Sequence, residues 1–282
     1  MWYFCMKYPM MITFPIAKIN LGLRIIAKRI DGYHDIETVI YPVGLCDALE
    51  FVISDKDTTK DFITTTGIDT GSDPEENLVI KTVRKLHEKY TFPHLKIHLH
   101  KVIPAGAGLG GGSSDSATIL KAINRHFGLD ISDHELKSIA LELGSDCPFF
   151  IEGNPAFASG RGEILKPADP VLSGYYLVLL NPGAGISTGE AYQNCRPEKP
   201  SEGLPQLIAH PVAEWKKLIT NDFEDFAFKK HSIIREIKDE LYKTGALFSL
   251  MSGSGSSVYG IFHGKPELAE GLKKFVIFEG EM

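Results

Sequence analysis

The run PAGAGLGGGSSDSA, from Pro104 to Ala117, leaves the chain fewer choices of local structure than any other segment. Gly106, Gly108, Gly110, Gly111 and Gly112 lack a Cβ, so the backbone can take positive φ there and bring its N–H groups close to an anion. Ala105, Ala107 and Leu109 alternate with the first of these glycines. Behind the run, Ser113 to Phe127 carries Ile119, Leu120, Ile123 and Phe127 at helical spacing, which predicts a helix with its positive dipole end aimed back at the loop. Ahead of it, Leu95, Ile97 and Leu99 alternate with His94, Lys96, His98 and His100, the period of a strand with its histidines on the solvated face. A strand, a glycine turn and a helix in that order predict a bound di- or triphosphate, with Pro104 through Ser114 as its cradle.

Spacing separates the possible identities of such a loop. Gly106, Gly108 and Gly111 satisfy G-x-G-x-x-G, and Asp130 stands roughly where a dinucleotide-binding unit wants an acid, so that reading stays open on geometry alone. The longer glycine run and the Ser113-Ser114-Asp115 tail, with oxygens suited to magnesium, argue against it. A Walker loop needs a lysine after its glycines, and none follows here. Elsewhere, Gly185, Ser187 and Gly189 form a literal G-x-S-x-G with His210, His231 and His263 downstream, the pattern of a hydrolase elbow. Pro182-Gly183-Ala184 separate it from the strand that should lead straight into it, and the hydrolase reading leaves the glycine loop unexplained.

Four further motifs fall in a fixed order around the loop: PIAKINLGL (Pro15 to Leu23), DGYH (Asp31 to His34), GSDCPFF (Gly144 to Phe150) and MSGSGSS (Met251 to Ser257). With P-x-G-x-G-L-G-G-G-S-S they resemble the galactokinase, homoserine kinase, mevalonate kinase and phosphomevalonate kinase superfamily, and within it the diphosphocytidyl kinases. The resemblance runs from about Ile12 to the end of the chain, and the lysine motif combined with DGYH is its most specific part. It implies an α+β fold with an N-terminal α/β ATP-binding domain, a C-terminal ferredoxin-like domain and an active site in the cleft between them. It also implies ATP with Mg²⁺ as cofactors and phosphorylation of the 2-hydroxyl of a diphosphocytidyl-linked methylerythritol, a step in non-mevalonate isoprenoid synthesis. Another acceptor of the same superfamily, or a non-catalytic nucleotide sensor on the same fold, are the alternatives.

Composition agrees with these expectations. The 282 residues, 43% of them hydrophobic, suffice for one large or two ordinary domains. A formal net charge of −6 supplies no basic field for nucleic acid, so the polyanion must be small and held locally. Cys5, Cys46, Cys147 and Cys195 form no C-x-x-C pair, which fits a reduced cytoplasm better than a disulfide framework or a zinc-thiolate site. His134-Glu135 opens like a zinc-protease helix, but Ser138 holds the place of the second histidine. The opening residues lack the basic and small-residue signals of a secretory leader, and no apolar run approaches the ~20 residues of a membrane span. Met10 or Met11 can be the start, or the extension can be an extra edge segment.

Along the chain, Glu76 to Lys89 reads as a helix, and Ser132 to Leu143 as another that opens with a Ser132–Glu135 capping box and ends at Gly144. The second half reads as strand Tyr175–Asn181, helix Asp222–Tyr242, hairpin Leu247–Phe262, helix Glu267–Lys274 and strand Phe275–Phe278. That order, β-α-β-β-α-β, independently predicts a ferredoxin-like unit. Breakers between Gly160 and Pro170 place the domain boundary near Gly162, giving an ATP-binding domain over 1–162 and a ferredoxin-like substrate domain over 163–282.

Phosphoryl transfer asks for charge neutralisation, in-line positioning and a proton acceptor. Asp146 lies at a turn between a helix end and Pro148, and the resemblance makes it the catalytic aspartate; taken alone it also suits a helix N-cap. Lys18 stands in an apolar strand-like stretch, where a charge is costly unless it faces a partner, and the resemblance pairs it with the aspartate. Taken alone it also suits the exposed face of an edge strand. The resemblance further implies that Tyr33 covers the cytosine face and His34 reads its edge, that Thr188 and Tyr192 complete the base pocket, and that the Gly253-Ser254-Gly255 turn closes over the site. Asn20 is a polar contact beside Lys18. Metal ligands stay unassigned. Asp115 would repel a phosphate, so its carboxylate either faces away or reaches a metal, and Cys147 beside Asp146 is expected to be sensitive to thiol reagents.

Overall fold

Periodicity and caps account for most of the elements in the computed structural model, which describes residues 11–55, 57–69, 71 and 73–282. In chain order these begin β1 (Met11–Thr13), β2 (Ile16–Lys28), β3 (His34–Cys46), β4 (Ala48–Ile53), β5 (Phe62–Gly67), α1 (Leu78–His87), β6 (Leu95–Lys101) and α2 (Gly111–Phe127). They continue α3 (Asp133–Leu143), α4 (Phe149–Glu152), β7 (Ala156–Ser159), β8 (Ile164–Pro167), β9 (Tyr176–Leu180), α5 (Thr188–Asn194), α6 (Leu204–Ile208) and α7 (Trp215–Leu218). The last are α8 (Glu224–Lys230), α9 (Ser232–Lys243), β10 (Phe248–Met251), β11 (Val258–Phe262), α10 (Glu270–Lys273) and β12 (Val276–Glu281). The question of the start codon falls on residues 1–10, outside the described residues, while Met11 opens β1. None of the described helices is long and apolar enough to cross a membrane.

The elements form two compact units whose pieces interleave along the chain. One takes the residues up to Ile16 with Cys46–Pro104 and Gly111–Glu152; the other takes Ala17–Leu45, Ala105–Gly110 and Gly153–Met282.

In the first unit the sheet order is β1-β4-β6-β5, with Ile97 of β6 opposite Phe51 on antiparallel β4 and opposite Ile63 on parallel β5. A parallel pair needs a crossover, and α1 supplies it. Asn77 caps α1 by accepting from the Val79 amide, so the helix starts just after the predicted Glu76. Val79, Ile80, Val83 and Leu86 of α1, Leu95, Ile97 and Leu99 of β6, and Ile119, Leu120 and Ile123 of α2 are buried. Each such side chain contributes about 1.5–3 kcal/mol on burial. Ser132 accepts from the Glu135 amide at the start of α3, as the capping box predicts, and Gly144 ends that helix.

The second unit holds two sheets. In one, ordered β2-β3-β7-β8, Ala17 to Leu23 of β2 are all buried, so neither face of the strand meets solvent, although Ala17, Ile19, Leu21 and Leu23 alternate with the polar Lys18 and Asn20. The other is ordered β10-β11-β9-β12 with every pairing antiparallel. Strand order with helices between β9 and β10 and between β11 and β12 is the ferredoxin-like arrangement read from the sequence. Val178, Leu180, Ile234, Ile237, Leu241, Val258 and Phe262 form its core.

One expectation is corrected here: the helix Asp222–Tyr242 is two helices. His231 takes an extended conformation at φ −141°, its amide closes α8 on the Ala227 carbonyl, and its Nε2 lies 3.2 Å from the Gly185 oxygen. That tertiary contact overrides a helical period that continues through the break. The short helices α5, α6 and α7, of seven, five and four residues, give no periodic signal over so few turns.

Candidate active site

The glycine loop joins the end of β6 to the start of α2. Gly106, Gly108 and Gly110 take φ of +62°, +77° and +70°, the left-handed region for which the glycines were singled out. Gly111 and Gly112 belong to the first turn of α2, two residues before the predicted helix start at Ser113. Within the second unit, the Ala107, Gly108 and Leu109 carbonyls accept from the Ser257 amide at 3.2 Å, the Ser252 hydroxyl at 2.8 Å and the Lys18 amide at 3.0 Å. A trans peptide points its N–H opposite to its C=O, so bonding these three carbonyls inward turns the following amides, of Gly108, Leu109 and Gly110, the other way. Those N–H groups are the ones an anion needs.

The β10–β11 turn packs on this loop. A Cβ at Gly108 would overlap the Ser252 carbonyl oxygen, and one at Gly253 would stand 3.2 Å from the Gly108 Cα. Asn221 holds the turn by donating to the Met251 and Gly253 carbonyls at 2.8 Å each. The turn expected to close over the site thus buttresses the loop's backbone.

Lys18 is 4% exposed, although β2 ends its sheet, so it does not occupy an exposed edge face. Its Nζ donates to Asn20 Oδ1 at 2.6 Å, Asn20 Nδ2 donates to Thr38 Oγ1 at 2.8 Å, and the Thr38 hydroxyl donates to the Gly22 carbonyl at 2.6 Å. This chain of donors fixes the lysine's rotamer and the asparagine's orientation. Tyr259 adds a bond from its hydroxyl to the Asn20 carbonyl at 2.9 Å.

The residues read as a base pocket lie in the same unit. His34, the first residue of β3, stacks on Tyr192 with ring centroids 4.9 Å apart and planes 21° from parallel; Tyr192 meets Phe223 edge-on at 4.9 Å. Burial, and secondarily the Lys28 charge, holds the His34 imidazole below its ordinary range, so it is neutral at pH 7. Tyr33 follows the Asp31-Gly32 turn, is half exposed, and carries the Arg161 guanidinium 4.7 Å above its ring. Thr188 opens α5 and shares a hydrogen bond with Ser254 at 3.0 Å.

In the first unit, Asp146 sits partly buried in the turn between α3 and α4. Since α4 begins at Phe149, Asp146 is not its N-cap. Cys147 is fully buried and burial pushes its thiol up, against hydrogen bonds from Ser113 and Ser116, so it stays protonated; the expected sensitivity to thiol reagents is corrected on that ground. Asp115 Oδ2 takes Lys101 Nζ at 2.7 Å, and Lys101 also contacts Asp47, whose other oxygen accepts from the Val102 and Ile103 amides at 2.5 and 2.8 Å. Ser114 Oγ is buried and, among the described residues, has no hydrogen-bond partner. A buried, unspent hydroxyl in the first turn of a helix suits a hard cation or a phosphate oxygen.

Ser252, Thr38, Asn221, Arg161 and Lys101 were not singled out as site residues. Ser252 stood inside a quoted motif; the others carried no local signal.

The fold disposes of two rival readings. After α2 the chain enters α3 and not a second parallel strand, so no dinucleotide-binding β-α-β unit is formed. Six residues separate β9 from Ser187, which leads into α5, so the hydrolase elbow is not built either.

Residues 77–154 match the GHMP kinases N terminal domain and residues 204–277 the GHMP kinases C terminal family. The chain is 51% identical over 252 residues to the 4-diphosphocytidyl-2-C-methyl-D-erythritol kinase of Parabacteroides distasonis, covering 89% of this chain and 92% of that protein. It is 48% identical over 260 residues to the kinase of the same name from Bacteroides thetaiotaomicron, covering 92% and 95%. A crystal structure of 4-(cytidine 5'-diphospho)-2C-methyl-D-erythritol kinase superposes with a TM-score of 0.73 at 32% identity, over 90% of this chain and 91% of that one. The mevalonate kinase of Methanococcus jannaschii, at 12% identity and a TM-score of 0.66 over 95% and 93%, shares the fold.

Proposed function

The chain belongs to the 4-diphosphocytidyl-2-C-methyl-D-erythritol kinase family of the GHMP kinases, and on that premise we propose the following division of labour among its residues. The enzyme transfers the γ-phosphoryl group of ATP to the 2-hydroxyl of 4-diphosphocytidyl-2-C-methyl-D-erythritol, in the cytoplasm, as a step of non-mevalonate isoprenoid synthesis. The observation that carries this reading is identity of about half the residues across nine-tenths of the chain to kinases of that name.

The loop from Pro104 to Ser114 holds the triphosphate. Its support is the inward bonding of three successive carbonyls, which commits the loop's amides to an anion, and the α2 dipole behind them. Asp146 takes the proton of the attacking hydroxyl, and Lys18, held by Asn20, supplies positive charge to the transferring group. Mg²⁺, when bound, neutralises phosphate charge; the Ser114 hydroxyl fits it, while one oxygen of the Asp115 carboxylate is held by Lys101 and the other, Oδ1, is buried with no hydrogen-bond partner among the described residues. His34 reads the cytosine edge as a neutral imidazole, which can donate and accept; Tyr33 and Tyr192 offer ring faces, and Thr188 a hydroxyl. Along the chain, residues 1–162 carry the nucleotide loop and the base, and residues 163–282 the ferredoxin-like part.

ADP release with Mg·ATP is the test, using the diphosphocytidyl acceptor beside mevalonate, homoserine and galactose. Activity confined to the cytidyl acceptor is the expected result. Activity only with another acceptor overturns the base pocket, and ATP binding without turnover on any of the four makes the protein a sensor.

A further inference from the structure

A second constellation of metal-ligating groups lies in the first unit, at the end of β6 remote from the glycine loop. Because β5 and β6 are parallel and α1 joins them, the starts of both strands and the C-terminal end of α1 come to one end of the crossover. Asp61 immediately precedes β5, His87 is the last residue of α1, and His94 immediately precedes β6. Their ligand atoms lie within 4.8 Å of one another. The seven residues of β6, about 20 Å of extended chain, separate this group from the phosphate loop.

We propose that Asp61, His87 and His94 form a binding site for a divalent metal ion of the Zn²⁺ class. His87 Nε2 and His94 Nδ1 converge on a single oxygen, Asp61 Oδ2, at 3.3 and 3.2 Å. Ligands about 2.0–2.1 Å from a tetrahedral Zn²⁺ stand about 3.3 Å from one another, so both separations match an edge of that polyhedron. They are longer than the ~2.7–2.9 Å of a charge-assisted hydrogen bond. His87 Nε2 is buried and has no hydrogen-bond partner among the described residues, so the nitrogen nearest the carboxylate is unspent.

The surroundings orient the ligands as a metal site requires. Asp61 Oδ1 accepts from the Leu95 amide at 2.7 Å, which turns Oδ2 toward the imidazoles. Phe92 stacks on the His87 ring at 3.9 Å with planes 14° apart and fixes its tilt. Asp61 is 6% exposed and His94 35%, so the group opens to solvent on one side, leaving a fourth position for water or an exogenous ligand. The C-terminal end of α1 contributes partial negative charge that favours a cation. Two imidazoles and a carboxylate select borderline late first-row ions over Mg²⁺ or Ca²⁺, which take all-oxygen sites.

Isothermal titration of the full-length protein with Zn²⁺ alone, followed by Co²⁺ absorption spectroscopy, tests the proposal. One Zn²⁺ per chain is expected, with a visible Co²⁺ band of low-coordinate intensity and a thermal midpoint that rises when Zn²⁺ is added. His94→Gln, at a partly exposed position, and Asp61→Asn keep the fold, as melting without metal will report. Each should weaken Zn²⁺ binding at least about tenfold and abolish the Co²⁺ band. Failure of the wild-type protein to bind Zn²⁺, or equal binding and an equal Co²⁺ spectrum in both variants, overturns the site.

Discussion

Lys101 Nζ lies 2.7 Å from Asp115 Oδ2, and both side chains are almost entirely buried. Lys101 ends β6 and Asp115 stands just past the first turn of α2, so this ion pair ties together the two ends of the glycine loop. Asp47 completes the group, its Oδ2 also in contact with Lys101 Nζ. Lys101→Met leaves two buried carboxylates without their cation and should destabilise the protein by about 3–5 kcal/mol, read from urea midpoints.

The same group makes stability depend on pH. Burial outweighs the pull of Lys101 and pushes the Asp115 carboxyl up to about 7. Between the ordinary carboxylate range and about 7 the folded protein therefore retains a proton that the unfolded chain has lost. This residue's contribution to stability is present at low pH and falls as pH rises through that window. Asp115→Asn removes the titration. Urea midpoints at about pH 5 and about pH 8 should differ more in the wild type than in the variant, and identical differences would contradict the assignment.

Asp146→Asn keeps the size of the side chain and removes the base. Turnover should fall about 10²–10⁴-fold while the ATP dissociation constant holds. Parallel loss of ATP binding would reassign Asp146 to nucleotide positioning.

Tyr192→Ala should raise the acceptor KM roughly 5- to 150-fold, the equivalent of one lost base stack, with little change in the KM for ATP. Since burial lowers the His34 pKa, the acceptor KM should be flat from neutral pH upward and rise only below the ordinary imidazole range, where the edge becomes donor-only. An acceptor KM that ignores both the substitution and the pH removes these residues from the base pocket.

Two glycines of the loop should respond differently to a methyl group. At Gly106 a Cβ meets nothing within 4 Å, so Gly106→Ala costs only the left-handed conformation, about 1–2 kcal/mol. At Gly108 the Cβ overlaps the Ser252 carbonyl, a backbone atom that cannot turn aside, so Gly108→Ala must displace the loop or the β10–β11 turn. ATP affinity measured for both variants should fall steeply in Gly108→Ala alone.

The histidines of β6 show where sequence reading reached its limit. Alternation with Leu95, Ile97 and Leu99 put His94, His98 and His100 on the solvated face, and the apolar residues are indeed the buried ones. Alternation says nothing about what stands opposite on that face. Thr66 of β5 bonds both His98 and His100, at 2.9 and 3.0 Å, because the parallel register sets Thr64 and Thr66 beside them. Arg161 over Tyr33 was equally illegible, being brought there from more than a hundred residues away.

What the sequence determined by itself is local in origin. The glycine loop, the Ser132 cap, the apolar stripes of α1 and α2 and the β-α-β-β-α-β order follow from backbone freedom, capping and periodicity, which act over a few residues at a time. Tertiary structure alone decided that Lys18 is buried and held by Asn20, that Lys101 lies between Asp47 and Asp115, and that Asp61, His87 and His94 meet. Each of those depends on strand register and on which elements pack together, because a charge or an imidazole acquires its partner only when the chain brings distant segments within a few ångströms.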